Sequence, residues 1–323
     1  VPESAIVGSA LAVVLLGFLI EAFFVRSFRR AIPTRVVVMG MRGKSSVVRL
    51  IAAGLRGGGH RVLYKTTGSY ATVGHPNGDE RPVRRRSLPS PLEQRRILYL
   101  AKRLEADAAV FEAMSIRAES LRVEVAKILA PQIVALTSFR PDHLNDLPDP
   151  IGAFAEAVPR GAVVICPSDT PDDLRRRLME RHIPVHAVDP EAGAPYLSLL
   201  PYREWPINLA LALEICARLG VPPESALDGM GSVTPDVGVL SAWRVDSPPG
   251  TWHVVNGFAA NDPDSTKLVL ERALERWDRP GGCRVGLLNL REDRGDRTGQ
   301  WTSALSRETW PFDTLAVVGA VPW

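Results

Sequence analysis

An apolar run, Arg35–Met39, passes directly into Gly40-Met-Arg-Gly-Lys-Ser-Ser46, and the helix-patterned stretch Lys44–Leu55 follows without a gap. No other feature constrains the fold as strongly. A strand, a glycine-rich turn and a helix in that order wrap backbone N–H groups and a helix N-terminus around phosphate oxygens. In such a loop Lys44 reaches the β- and γ-phosphates of a nucleoside triphosphate, and the Ser45 hydroxyl is placed to hold Mg²⁺. Gly40, Arg42, Gly43, Lys44, Ser45 and Ser46 are therefore the nucleotide-binding candidates of the loop. The loop departs from the strict GxxxxGK[ST] spacing, because Val38 stands where the first glycine falls.

Upstream, Ala5–Val25 reads AIVGSALAVVLLGFLIEAFFV, apolar except for Ser9 and Glu21. This is about the ~20 residues that a membrane-spanning helix needs. Near-continuous apolarity argues against an amphipathic stripe. The run lacks the preceding positive charge of a secretory signal, and Arg26, Arg29 and Arg30 follow it. These features predict a retained single-pass anchor with its C-terminal end, and everything beyond, on the cytoplasmic side.

After Pro33 strand-like and helix-like stretches alternate, which predicts an α/β fold with a mostly parallel sheet. Strands are expected at Arg35–Met39, Arg61–Lys65, Ala108–Phe111, Gln132–Thr137, Ala162–Ile165 and Val185–Ala187. Helices are expected at Lys44–Leu55, Leu92–Glu105, Glu119–Leu129, Pro171–Arg181 and Pro206–Leu219, with a short one after Val221. The polar stretch Thr66–Pro91 has no periodicity and is expected to be a substrate-facing loop. Its Arg81–Arg86 run reads as a solvated face or as an attractor of a polyanionic substrate. A turn-rich boundary at Ser232–Gly238 precedes a second βαβ pattern: strand His253–Asn256, helix Ser265–Trp277, strand Arg284–Asn289, helix Gly299–Arg307 and strand Thr314–Val318. The domain expectation is an anchor over 1–31, a nucleotide-binding central domain over 32–235 and a Rossmann-like C-terminal domain over 236–323. That last domain reads as cut short after its third strand.

With 39 basic and 36 acidic residues the formal charge is +3, which gives no reason to expect nucleic acid as a partner. Cys166, Cys216 and Cys283 are far apart and read as three buried small hydrophobes in a reducing compartment. Two further strand ends carry polar groups: Glu112 closes one strand, and Ser138-Phe-Arg-Pro-Asp-His-Leu-Asn145 follows another. Strand C-terminal ends are where open α/β sheets bind ligands. Glu112 and His143, with Ser45, are the metal candidates, and Lys44, Glu112 and His143 the catalytic ones.

These motifs resemble the Mur ligase superfamily, which includes folylpolyglutamate synthase. The resemblance rests on the Gly-Lys-Ser loop, the glutamate after a following strand, Asp142-His143-Leu144, and Ile207-Asn-Leu-Ala-Leu-Ala-Leu-Glu214 before Arg218-Leu-Gly220. Within that superfamily the chain is similar to the ATP-dependent ligase subunits of poly-γ-glutamate synthases, which form bacterial capsules. The matching segments are Lys65-Thr-Thr-Gly68, Val255-Asn-Gly-Phe-Ala-Ala-Asn-Asp262 and Asn289-Leu-Arg-Glu-Asp-Arg-Gly-Asp-Arg-Thr298, with the N-terminal anchor. The resemblance covers essentially the whole chain from the anchor onward.

The resemblance implies that ATP and Mg²⁺ activate a glutamate γ-carboxylate as an acyl phosphate, which the amine of another glutamate then attacks. It implies a growing poly-γ-glutamate chain as substrate and membrane subunits of a polymer synthase and export complex as partners. It places Asn208 at the adenine, and Asn256, Asn261, Asp262, Arg294, Asp296 and Arg297 facing the nucleotide from the C-terminal domain; of these, Asn261, Arg294, Asp296 and Arg297 are nucleotide-binding candidates. Asn145 stands where the superfamily usually has a second aspartate. None of the five lysines lies between His143 and Lys267, so none is assigned the metal-bridging carbamylated-lysine role that the superfamily often uses. The other readings are a folylpolyglutamate synthase-like ligase and a membrane-tethered ATPase switch in an export complex.

Overall fold

The computed structural model describes residues 3–67, 71–85, 89–115, 117–139, 149–235, 240–248, 250–258, 260, 262–278, 281–290 and 295–319. The chain divides into two compact units, Val1–Thr234 and Pro235–Trp323. In the first, the order is α1 (Glu3–Arg30), β1 (Thr34–Met39), α2 (Lys44–Gly57), β2 (Val62–Lys65), β3 (Thr72–Gly74), β4 (Glu80–Pro82), α3 (Glu93–Arg103), β5 (Ala108–Glu112) and α4 (Ala118–Arg122). A π-helical run, Val123–Leu129, continues α4; then come β6 (Ile133–Leu136), α5 (Pro150–Ala157), β7 (Val163–Pro167), α6 (Asp172–Glu180), β8 (Val185–Val188), α7 (Pro206–Arg218) and α8 (Pro223–Gly231).

Eight strands form one sheet in the order β4-β3-β2-β5-β1-β6-β7-β8. The six strands from β2 to β8 are parallel, and β3 and β4 add antiparallel to one edge. Alternate residues of each strand face opposite sides, so the sheet sorts its apolar side chains into two cores. Val37, Met39, Phe111 and Val134 pack in one core that also holds Leu98 of α3, Leu129, Phe154 of α5 and Leu174 of α6. Val36, Val38, Val110 and Ala135 pack in the other with Leu50 of α2, Leu211 of α7 and Met230 of α8. Full coverage of both faces explains why the central strands read as continuous apolar runs. Phe111 alone, fully buried, contributes about 2–3 kcal/mol of apolar burial.

Three expectations change here. The stretch 66–91 is no featureless loop, because β3 and β4 form a short ribbon on the sheet edge. The helix expected over Glu119–Leu129 is α-helical only to Arg122 and π-helical beyond. Cys283 is exposed, whereas Cys166 and Cys216 are buried.

Among the described residues α1 is the one helix long and apolar enough to cross a membrane. Its 28 residues span about 42 Å. Its C-terminal third is docked on α3: Glu21 pairs with Arg95, Val25 is buried, and the Phe28 and Tyr99 rings lie 5.3 Å apart.

The second unit contains β9 (Ser241–Ser247), β10 (Gly250–Asn256), α9 (Pro263–Trp277), β11 (Val285–Leu290), α10 (Gly295–Arg307) and β12 (Thr314–Gly319). The strand expected near His253 pairs antiparallel with β9, which the sequence pattern had not suggested. β11 and β12 are parallel and joined by α10, a βαβ unit.

Candidate active site at the sheet switch point

β1 lies between β5 and β6, so the chain leaves it toward β2 on one side and later returns to β6 on the other. This reversal opens a crevice at the C-terminal ends of the strands. The glycine loop fills it. Gly40 has φ +133° and Gly43 φ +81°, conformations in which a β-carbon is strained. A β-carbon on Gly40 meets Thr137 Oγ1 at 2.1 Å, and one on Gly43 meets Asn208 Oδ1 at 2.6 Å. Both positions thus require glycine for space as well as for dihedral angle. Met41 N donates to Ser138 O (3.0 Å) and Arg42 N to Ser138 Oγ (3.1 Å), fixing the loop to the end of β6. Lys44 Nζ donates to Gly40 O at 2.9 Å.

Helix α2 starts at this loop with no side-chain cap and no acidic residue in its first turn. An N-terminus left so is electrostatically suited to an anion. The first turn also carries Ser45, whose Oγ donates to Glu112 Oε2 at 2.7 Å. Glu112 is 3% exposed, and the same oxygen accepts from Thr67 N at 2.7 Å. A hydroxyl and a carboxylate in contact, beside a phosphate loop, form the oxygen donor set that a hard divalent cation takes, with waters completing its shell. The buried Thr66 hydroxyl at the end of β2 has no hydrogen-bond partner among the described residues, which adds an unspent polar atom to the same crevice. Among the described residues there is no group of three or more His, Cys, Asp or Glu side chains able to enclose a metal.

Asn208, on the first turn of α7, is 5% exposed; it packs on Gly43, and its Nδ2 donates to Glu204 Oε1 at 2.8 Å. Glu204 also accepts from Trp205 N at 2.9 Å and from the Ser46 hydroxyl. Desolvation pushes the Glu204 carboxyl above the usual carboxylate range, although these three donors pull the other way. Sequence reasoning missed Glu204; it lies 158 residues from Ser46, and no local pattern marks it.

Behind the site, Gln94 Nε2 joins Glu112 O (3.3 Å) to Glu124 Oε1 (2.7 Å). Glu124 is fully buried and accepts from Met114 N and Ser115 N, holding the chain just past β5. Lys65, fully buried at the end of β2, pairs with Glu93 at 2.6 Å. Burial lowers the Lys65 pKa, with Glu93 opposing the shift. Arg85 binds the same Glu93 at 2.9 and 3.1 Å, so one carboxylate joins the end of β2 to a residue within the 66–91 stretch. Arg49 of α2, Tyr64 of β2 and Glu80 of β4 hydrogen-bond to one another and pin the edge ribbon to the glycine-loop helix.

His143, Asn261 and Arg294 lie outside the described residues, as do Asp142 and Asn145, and the side chain of Asp296 is likewise not described. Arg297 is nearly buried within the second unit; its NH1 lies 4.0 Å from Asp262 Oδ2 and 3.2 Å from Gln300 Oε1.

Fold and site together define a P-loop α/β protein of the Mur ligase type, and residues 38–197 match the Mur ligase middle domain. Residues 243–322 match the poly-gamma-glutamate synthase CapB C-terminal domain. The chain is 31% identical over 299 residues to capsule biosynthesis protein CapB of Bacillus anthracis, covering 90% of this chain and 63% of that protein. It is 31% identical over 281 residues to PGA synthase CapB of Bacillus subtilis (strain 168), covering 84% and 71% respectively. The chain belongs to this CapB family, and spans under two thirds of the length of the first relative. A crystal structure of a bifunctional folylpolyglutamate synthase/dihydrofolate synthase with Mn, AMPPNP and L-glutamate bound superposes with a TM-score of 0.60 at 13% identity, covering 93% of this chain and 90% of that one. At that identity the likeness is one of fold.

Proposed function

We propose that this chain is an ATP-dependent amide ligase of poly-γ-glutamate synthesis, acting on glutamate and the growing polymer. The observation that carries the reading is the Ser45–Glu112 contact, which brings the first turn of the phosphate-loop helix onto the end of β5. Family membership supports the choice of an amide-forming reaction over simple ATP hydrolysis.

The reaction assigned to the site has two steps. A glutamate γ-carboxylate oxygen attacks the γ-phosphorus of ATP, the bond to the β-bridging oxygen breaks, and ADP leaves. The amine of a second glutamate then attacks the acyl phosphate carbonyl, and phosphate departs as the amide forms. Lys44 and the N-terminus of α2 offset the charge on the transferred phosphoryl group. Ser45 and Glu112, with His143 assigned as a further ligand, would hold Mg²⁺, which would supply Lewis-acid charge against the phosphate oxygens. Asn208 braces Gly43 and offers its amide toward the adenine. Asn261, Arg294, Asp296 and Arg297 are assigned as further nucleotide-binding residues. Helix α1 serves as a single-pass anchor with the catalytic body on the cytoplasmic side, beside the membrane subunits of a synthase and export complex.

The test is glutamate-dependent release of ADP and phosphate, with amide product, by membranes containing the protein. Activity is expected to vanish in Lys44→Ala. Retained activity in that variant refutes the site, and ATP turnover without amide product would reassign the chain as an ATPase switch.

A further inference from the structure

Opposite the nucleotide crevice, at the N-terminal ends of the strands, lies a cavity of about 350 Å³ whose walls include Arg26, Arg29, Arg30, Arg35, Ile32 and Gln132. None of its lining residues among those described is acidic. Arg26, Arg29 and Arg30 fall on one face of the last turns of α1, at spacings of three and four residues. Arg35, at the start of β1, is 9% exposed. Its guanidinium donates to Arg29 O (2.7 Å), Ile32 O (2.6 Å), Leu129 O (3.0 Å) and Ala130 O (2.8 Å), and Arg29 NH1 donates to Lys127 O at 3.0 Å. Burial, and then the neighbouring Arg29 charge, lower the Arg35 pKa to about 10.

Arg29 and Arg35 thus spend their donors on backbone carbonyls and lock the joint between α1 and the sheet. Arg26 and Arg30 are exposed and make no hydrogen bond or ion pair among the described residues. The cavity collects four positive charges with no carboxylate among its described walls. Such a site calls for an anion.

We infer that this arginine-lined cavity binds the phosphodiester of an anionic phospholipid at the point where α1 leaves the bilayer. The inference rests on the anchor reading above. Position selects the occupant: the cavity adjoins the end of an apolar helix, at the level where lipid phosphates lie. It is separated from the nucleotide site by the six residues of β1, roughly 20 Å. A bound ATP phosphate therefore cannot be its ligand. A basic pocket on the cytoplasmic side of a spanning helix is the arrangement in which anionic headgroups are held.

The test uses the full chain in detergent, offered equimolar phosphatidylglycerol and phosphatidylcholine with identical acyl chains, and reads retained lipid by native mass spectrometry. Wild type is expected to retain phosphatidylglycerol on the order of tenfold over phosphatidylcholine, each arginine near the surface being worth about fivefold. Arg26→Gln with Arg30→Gln, which leaves the bracing arginines intact, is expected to lower that ratio at least fivefold with an unchanged melting temperature. An unchanged ratio in the double variant overturns the site. Displacement of the lipid by millimolar inorganic phosphate, or by poly-γ-glutamate, also overturns it in favour of that anion. Flotation with phosphatidylcholine vesicles reads the anchor separately. A protein that floats without headgroup preference sinks only this inference, whereas one that does not float sinks the anchor reading and the inference with it.

Discussion

Glu112→Gln isolates charge from shape at the centre of the site. The glutamate oxygen accepts two bonds of 2.7 Å, from Ser45 Oγ and Thr67 N, in a position 3% exposed. Glutamine preserves volume and one acceptor oxygen, so the cavity is not the perturbation. What is lost is charge assistance, worth about 1.5–3 kcal/mol for a hydrogen bond to an ionised group. At 2–4 °C per kcal/mol for a body of this size, the melting temperature should fall by about 3–12 °C. The protein stays folded at assay temperature. If the carboxylate is a metal ligand, loss of its charge acts directly on the phosphoryl-transfer step, and turnover should fall on the order of 10²- to 10³-fold. The assay pairs thermal melts with glutamate-dependent ADP release over a Mg²⁺ titration, in which the variant should also need more Mg²⁺ for half-maximal rate. Ser45→Ala should shift the same titration in the same direction, and the double variant should lose less than the sum of the two. A folded Glu112→Gln protein with activity within threefold of wild type, at unchanged Mg²⁺ demand, refutes the assignment.

Glu93→Ala leaves Lys65 fully buried and without its 2.6 Å partner, and should cost about 3–5 kcal/mol; adding Lys65→Met should restore most of that, as read by urea or thermal unfolding. The Glu93 carboxyl is held below its usual range by Arg85 and Lys65 against the opposing effect of burial, so its stabilisation is present above pH 4.5 and lost as the pH falls from there; in Glu93→Ala that acid limb of the melting curve should flatten. Glu204 has the opposite sign. Its folded pKa is raised by desolvation, so its contribution is full below about pH 4.5 and is lost as the pH rises through the folded value; Glu204→Gln should remove that decline, and superimposable melting profiles would contradict it. Gly43→Ala forces a β-carbon to φ +81° and to within 2.6 Å of Asn208 Oδ1, and should weaken ATP binding with a stability cost of about 2–4 kcal/mol, checked by nucleotide titration and melting.

Much of the central unit was legible because its signals are local. β1, the glycine loop and α2 are contiguous, and a doubly covered sheet advertises itself through apolar runs such as Arg35–Met39. The ribbon β3–β4 was hidden because three-residue strands are too short to show a period of two. β9 was missed for another reason: Ser241–Ser247 is largely exposed on both faces, so burial imposed no apolar alternation on it. The π-helical run Val123–Leu129 keeps the apolar content of an α-helix, and its register shift leaves no compositional mark. Glu112 was legible as a polar residue at a strand end, and Asn208 through the resemblance of its helix to that of the Mur ligases. Glu204, Glu124 and Glu93 were not, since each also meets a partner remote in sequence: Ser46 for Glu204, Gln94 for Glu124 and Lys65 for Glu93.

The direction of β1 ties the two ends of this unit together. At its N-terminal end Arg35 gathers the closing carbonyls of α1 and of the run ending at Leu129, and the chain there abuts the apolar helix. At its C-terminal end, six residues on, Gly40 begins the phosphate loop. Parallel strands present all their C-terminal ends to one side, so a chain that enters from an anchor through β1 necessarily turns its ligand crevice away from the anchor. On the proposed anchor, the glycine loop opens away from the span, while the arginines remain at the joint. A membrane span placed after the last strand would carry no such constraint. The short Ala31–Pro33 link between α1 and β1 is therefore part of the site's orientation, and lengthening it with a flexible Gly-Ser insert should leave ATP hydrolysis intact while lowering polymer yield in membranes. Equal yields with and without the insert would show that the coupling between anchor and crevice has no functional weight.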